Sequence, residues 1–122
     1  MASRVLIVED EPNIVESLAF LLRREGYDVA TAADGDAALA ALRAQRPDLM
    51  ILDLMLPRQN GFEVLKAVRA DAALASLPVM ILTAKGQAQD RRLAEGIGVD
   101  AFMTKPFANR DIIDEVRRLT CA

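Results

Sequence analysis

Glu9, Asp10 and Glu11 follow directly on the apolar run Val5-Leu6-Ile7-Val8, and Asp53 ends a second run, Leu49-Met50-Ile51-Leu52. A carboxylate set in so apolar a stretch is costly unless it is paired or metal-bound. Carboxylates brought together from neighbouring strands repel unless a cation joins them. Mg²⁺ suits such a site, because it prefers oxygen ligands, takes one or two carboxylates and keeps places for water and phosphate oxygens. Thr83 closes a third apolar run, and Lys105 follows a fourth. With phosphate present each group has a role: Asp53 as nucleophile toward phosphorus, Lys105 and Mg²⁺ (or Mn²⁺) as neutralisers of charge on the equatorial oxygens, and Thr83 as a hydroxyl donor. Backbone N–H groups near Met55 and Ala84 are further candidate donors. Lys105-Pro106 is a candidate cis peptide that would aim the lysine. Taken singly, the acids read equally well as a helix start, Thr83 as a strand end and Lys105 as a surface lysine. Their convergence is what counts.

Convergence requires a particular scaffold. Five short apolar runs, Val5–Val8, Tyr27–Thr31, Leu49–Leu52, Val79–Leu82 and Ala101–Met103, alternate with helix-like segments. That alternation predicts an α/β fold with a parallel sheet. Runs one, three and four are apolar throughout, as for strands covered on both faces. Run two alternates and run five is very short, so both predict edge strands. A five-stranded parallel sheet in the order 2-1-3-4-5, doubly wound and flavodoxin-like with helices on both faces, satisfies this pattern. It places ligands beyond the carboxyl ends of its strands.

The helices have legible ends. Pro12 suits a first turn, Ile14, Leu18, Leu21 and Leu22 form a stripe, and Gly26 predicts a left-handed stop. Asp34 is a cap for a helix over Asp36–Gln45. Gly61 opens the third helix, with Phe62, Leu65 and Val68 inward. Asn109 is read as the cap of the fifth, whose buried face is Ile112, Ile113, Val116 and Leu119. The fourth, Gly86–Glu95, is mostly polar, with Leu93 and alanines as its anchors, and its low local stability would let it shift.

Composition narrows the function classes. The chain has 122 residues, enough for one domain, and 52% are hydrophobic. Its 15 basic and 18 acidic residues leave a net charge of -3, against the concentrated positive charge of a nucleic-acid surface. No apolar stretch is long enough to span a bilayer. Cys121 is the only cysteine, which excludes an internal disulfide and points to a cytoplasmic setting. Histidine is absent, which excludes a Ser-His-Asp hydrolase, a His metal site and a phosphohistidine carrier in this chain.

Four motifs also match a known family. Val5-Leu6-Ile7-Val8-Glu9-Asp10-Glu11-Pro12 resembles the opening of a response-regulator receiver domain of two-component signalling. Leu52-Asp53-Leu54-Met55-Leu56-Pro57 with Asn60-Gly61-Phe62-Glu63 resembles its phosphorylation segment. Ile81-Leu82-Thr83-Ala84-Lys85 and Met103-Thr104-Lys105-Pro106-Phe107 resemble its remaining signatures. The resemblance runs over the whole chain and implies a single receiver domain, 1–122; with no output domain after the fifth helix, the chain reads either as a single-domain regulator or as a receiver cut from a longer protein. It implies Asp53 as phosphoacceptor, with Thr83 and Lys105 beside it. Asp10 would be a direct Mg²⁺ ligand, Glu9 a ligand largely through water, and the Met55 carbonyl a third protein ligand. Thr83 and Phe102 would form the switch, Phe102 standing where the family often has Tyr and lacking its hydroxyl. Met55 and Lys85 would tune hydrolysis of the acyl phosphate, their bulk favouring a long-lived phospho-form. Implied partners are a histidine kinase or histidine phosphotransfer protein and a downstream protein target. A homodimer through the fourth helix, fifth strand and fifth helix is a further possibility, with no nucleic acid or membrane contact. The family's own activity is limited to its phosphorylation and slow dephosphorylation. A haloacid-dehalogenase-type phosphohydrolase is the enzyme alternative, but Met55 stands where its general acid would be. A flavodoxin-like cofactor carrier needs a phosphate loop where Glu9-Asp10-Glu11 would repel it.

Overall fold

The computed structural model describes residues 3–57, 60–84 and 88–120. Strands and helices alternate as β1 (Arg4–Val8), α1 (Pro12–Arg24), β2 (Asp28–Ala32), α2 (Gly35–Ala44), β3 (Leu49–Leu52), α3 (Gly61–Ala70), β4 (Val79–Thr83), α4 (Ala88–Ile97), β5 (Ala101–Thr104) and α5 (Asn109–Thr120). The sheet is parallel in the order β2-β1-β3-β4-β5, as expected. β3 and β4 are buried along their whole length, whereas β2 and β5 stay partly open, so the strand types separate as their apolar patterns predict.

The period of two along each central strand divides the core between two faces. Leu6, Val8, Met50, Leu52, Val79 and Ile81 pack with Ala38 and Leu42 of α2, Val64, Leu65 and Val68 of α3, and Ala94 of α4. Val5, Ile7, Leu49, Ile51, Met80 and Leu82 pack on the other side with Leu18 and Leu22 of α1 and Ile112 and Val116 of α5. Each fully buried leucine of this kind contributes about 1.5–3 kcal/mol relative to exposure. The sheet is therefore held from both sides.

Helix ends follow side-chain chemistry. The Asp34 Oδ1 accepts from the Ala37 N–H at 2.8 Å, satisfying one of the orphan donors of α2. Asp34→Ala is expected to lower stability by about 1 kcal/mol, measured as a shift in the urea midpoint with an unchanged slope. Gly26 takes φ +93° just after the α1 cap residue Glu25, as its position predicts.

Three local expectations are corrected. Asn109 is the first residue of α5, not its cap; the Asp111 and Ile112 N–H groups are served by the Ala108 carbonyl. Leu93 does not anchor α4: it is 49% exposed, and Asp90 and Ala94 are the buried residues of this helix, Ala94 its apolar contact with the core. Leu93 lies about 100° round the helix from Ala94, so burying Ala94 leaves Leu93 on the outer side. The helix also runs two residues further than expected, to Ile97, where Gly98 at φ +121° stops it. The expected start at Gly86 lies outside the described residues.

At the far end of the sheet one side chain ties three connections together. Arg69, near the end of α3, donates from Nε to the Gly98 carbonyl at 2.9 Å and from Nη1 to the Ala75 and Leu77 carbonyls at 3.0 and 2.7 Å. Its Nη2 lies 3.4 Å from an Asp100 carboxylate oxygen that also accepts from the Val79 N–H at 2.8 Å.

Candidate functional site

A parallel sheet delivers every strand to the same rim, and the backbone ladder continues one residue past three of them. The Glu9 N–H donates to the Ala32 carbonyl at 3.0 Å, the Asp53 N–H to the Val8 carbonyl at 3.0 Å, and the Lys105 N–H to the Thr83 carbonyl at 2.9 Å. Glu9, Asp53 and Lys105 thus leave rigid positions, and Thr83 is held within β4 opposite Thr104.

Carboxylate oxygens of Glu9, Asp10 and Asp53 lie within 4.8 Å of one another, Asp10 being the exposed member. The Lys105 ammonium lies 3.0 Å from Asp53 Oδ2 and is ion-paired with Glu9 Oε1. The other Asp53 oxygen, Oδ1, accepts from the Met55 N–H at 3.0 Å. The other Glu9 oxygen, Oε2, accepts from the Glu11 N–H at 3.1 Å. Both buried carboxylates are therefore oriented at both oxygens, each by one backbone donor and the shared ammonium. Thr83 ends β4 with its side chain buried.

The charges are unevenly compensated. Burial, outweighing its bonds to Lys105 and the Glu11 amide, holds Glu9 above the ordinary carboxylate range, and Asp53 adds to the rise. Lys105 is also partly buried, which alone would lower it, but the bonds and charges of Glu9 and Asp53 keep it above the ordinary lysine range and firmly protonated. One ammonium thus pairs with two of three clustered carboxyl groups. This excess of oxygen donors over positive charge fits a divalent cation, and the oxygen-only donor set fits Mg²⁺.

Of the expected site residues, Glu9, Asp10, Asp53 and Lys105 are brought together, with two refinements. Glu9, expected to act largely through water, also holds Lys105 directly. The Met55 N–H, expected among donors to phosphate, is engaged with Asp53. Sequence reasoning missed the Glu11 amide, since a main-chain donor leaves no signature in residue type. Phe102 lies on β5, partly buried, with the Arg91 guanidinium of α4 5.7 Å from its ring centroid. Lys85 and Cys121 lie outside the described residues. The Lys105-Pro106 peptide bond is cis.

The sequence model of the family described as response regulator receiver domain matches residues 5–117. The chain belongs to this family. It is a receiver domain of two-component response regulators, and the phosphohydrolase and cofactor-carrier alternatives fall away. Among curated relatives, the receiver is 41% identical over 119 residues to the alkaline phosphatase synthesis transcriptional regulatory protein PhoP of Bacillus subtilis, covering 98% of this chain and 49% of that one. It is 43% identical over 117 residues to the DNA-binding response regulator MtrA of Mycolicibacterium smegmatis, covering 96% and 50%. The chain thus spans about half the length of the curated relatives it matches. Its fold is similar to that of the chemotaxis protein CheY4 of Vibrio cholerae, with a TM-score of 0.92 and 31% identity over 98% of this chain and 99% of that one. Among the described residues, no helix of the receiver is long and apolar enough to cross a membrane.

Proposed function

We propose that this receiver domain is a Mg²⁺-dependent phosphoacceptor whose acceptor is Asp53. The observation that carries this reading is the clustering of three carboxylates at the strand ends, two of them ion-paired with one ammonium. Glu9, Asp10, Asp53 and the Met55 carbonyl would hold the ion, Mg²⁺ or Mn²⁺, which when bound offsets negative charge between the acceptor and an incoming phosphoryl group. Asp53 enters the reaction pre-aimed, because the Met55 N–H and the Lys105 ammonium fix its carboxylate plane.

In this reading the donor is a phosphohistidine of a histidine kinase or phosphotransfer protein, and it lies outside this chain, which has no histidine of its own. A carboxylate oxygen of Asp53 forms the new P–O bond as the donor's P–N bond breaks. The imidazole leaves with the electron pair, and an acyl phosphate remains. Lys105 shifts from Glu9 toward the phosphoryl oxygens, and the Thr83 hydroxyl donates to one of them. Met55, whose side chain is 56% exposed, would with Lys85 slow hydrolysis by screening the phosphorus from water.

Recruitment of Thr83 toward phosphate biases the packing of α4, β5 and α5. Phe102 would be the aromatic that follows, moving out from under Arg91. The repacked face docks a downstream protein or a second copy of the chain. The setting is cytoplasmic.

Incubation with acetyl phosphate and Mg²⁺, followed by intact-mass measurement, tests the acceptor. Wild type should gain the mass of one phosphoryl group, lost on adding a chelator before the donor. Asp53→Ala should gain none. Equal gain by both proteins would move the acceptor elsewhere.

A further inference from the structure

We propose that Gly61 is a positioning residue for the acceptor: the missing side chain at the start of α3 lets the helix seat against the Asp53–Leu54 backbone and so sets where the Asp53 carboxylate stands. The inference rests on the phosphoacceptor reading of Asp53 and adds a residue that touches neither the ion nor the phosphate.

Gly61 is buried, and its N–H donates to the Leu54 carbonyl at 2.9 Å. A Cβ built on Gly61 would lie 2.5 Å from the Asp53 carbonyl oxygen, 2.6 Å from the Leu54 Cα and 3.1 Å from the Asp53 carbonyl carbon. All three are backbone atoms, so no rotamer change relieves the overlap. Real Cβ contacts essentially never fall below 3.0 Å, and ordinary contact begins at 3.4 Å. Any other residue would have to open this junction by up to about 1 Å.

Neither side of the junction yields easily. α3 is anchored by Val64, Leu65 and Val68, all fully buried, and its first turn is capped by Asn60, whose Oδ1 accepts from the Glu63 N–H at 3.1 Å. The acceptor loop is tied by the Asp53 N–H to Val8 and by the Met55 N–H to the Asp53 side chain. Gly61 is not in a left-handed conformation, so space, and not backbone freedom, is what glycine supplies. Alanine would otherwise be the better helix residue. A displacement near 1 Å at a reacting centre can lower a rate about 10²-fold.

Gly96 is the internal control, being a glycine of α4 whose added Cβ would meet nothing within 4 Å. Gly61→Ala, Gly96→Ala and Asn60→Ala are compared with wild type in the full chain. Three quantities are measured: urea stability, the Mg²⁺ concentration giving half-maximal phosphorylation by acetyl phosphate, and the rate at saturating Mg²⁺. Gly61→Ala should lower the saturating rate about 10- to 100-fold while still unfolding cooperatively, a split that loss of stability alone would not produce. Gly96→Ala should stay within about twofold of wild type on both kinetic readouts. A saturating rate for Gly61→Ala within twofold of wild type would overturn the proposal. Should Gly61→Ala not fold, Asn60→Ala decides: it loosens the same turn and should slow phosphorylation a few-fold, and an unchanged rate refutes the positioning role. Phosphoryl uptake by wild type with no defect in these variants removes only this proposal. No uptake by wild type removes the phosphoacceptor reading and this proposal with it.

Discussion

Lys105→Met should lower the rate of phosphorylation by acetyl phosphate at saturating Mg²⁺ by at least about 10²-fold, the order seen when one charged or donor group is removed from a developing anion. The same substitution should tighten Mg²⁺ binding. The two effects have one cause. In the metal-free protein the Lys105 ammonium is shared between Glu9 and Asp53, both almost wholly buried, and so acts as an internal counter-ion. Raised above the ordinary lysine range, it stays charged at neutral pH. Methionine keeps the length and removes the charge, leaving clustered carboxylates with less compensation. A divalent ion then meets a more negative site with no ammonium to displace, and affinity should rise by roughly threefold to tenfold. Titration calorimetry measures the affinity, and intact mass against time measures the transfer. Weaker Mg²⁺ binding in Lys105→Met would show that the lysine builds the ion site, and the counter-ion account would fail. The metal-free variant should also be less stable, with added Mg²⁺ restoring part of the loss.

The second large effect falls at the opposite edge of the sheet. Arg69→Ala should destabilise the fold by about 2–3 kcal/mol, within the range for losing several hydrogen bonds from a charged group, two of them to partly buried carbonyls. The Arg69 guanidinium serves the Ala75, Leu77 and Gly98 carbonyls and Asp100 from a mostly covered position, its side chain 19% exposed. It joins the end of α3, the connection into β4 and the turn between α4 and β5. Urea unfolding measures the loss, and a change below about 0.5 kcal/mol, the level of an ordinary surface substitution, would show that water replaces these contacts readily. Arg69→Lys should recover little, since an ammonium cannot span three carbonyls with a planar fork. The surface pair Arg118–Glu115 makes a contrast: although Arg118 draws Glu115 below the ordinary carboxylate range, both partners are substantially exposed and their separation should change stability little.

Much of the scaffold is legible from side-chain type because its determinants are local. Continuous apolar runs mark the central strands, alternation and brevity mark β2 and β5, and Asp34 and Gly26 mark helix ends through their own chemistry. The errors lie where tertiary contact overrides local preference. Leu93 looks like an anchor by hydropathy, yet its neighbour Ala94, about 100° round the helix, is the residue that faces the core. Asn109 has the chemistry of a cap, but the Ala108 carbonyl already meets the N–H groups that follow.

The site divides in the same way. Residue identity alone marked Glu9, Asp10, Asp53, Thr83 and Lys105, since acids, a hydroxyl and an ammonium at apolar strand ends are expensive to place there without a purpose, and the parallel order dictated that they share one rim. Tertiary structure alone decided that Lys105 is held by Glu9 as well as Asp53, that a Glu11 amide orients Glu9, and that Gly61 abuts the acceptor backbone. Those are contacts with main-chain atoms or between segments far apart in the chain. They are set by how the helices seat on the sheet, a quantity that no residue type encodes by itself.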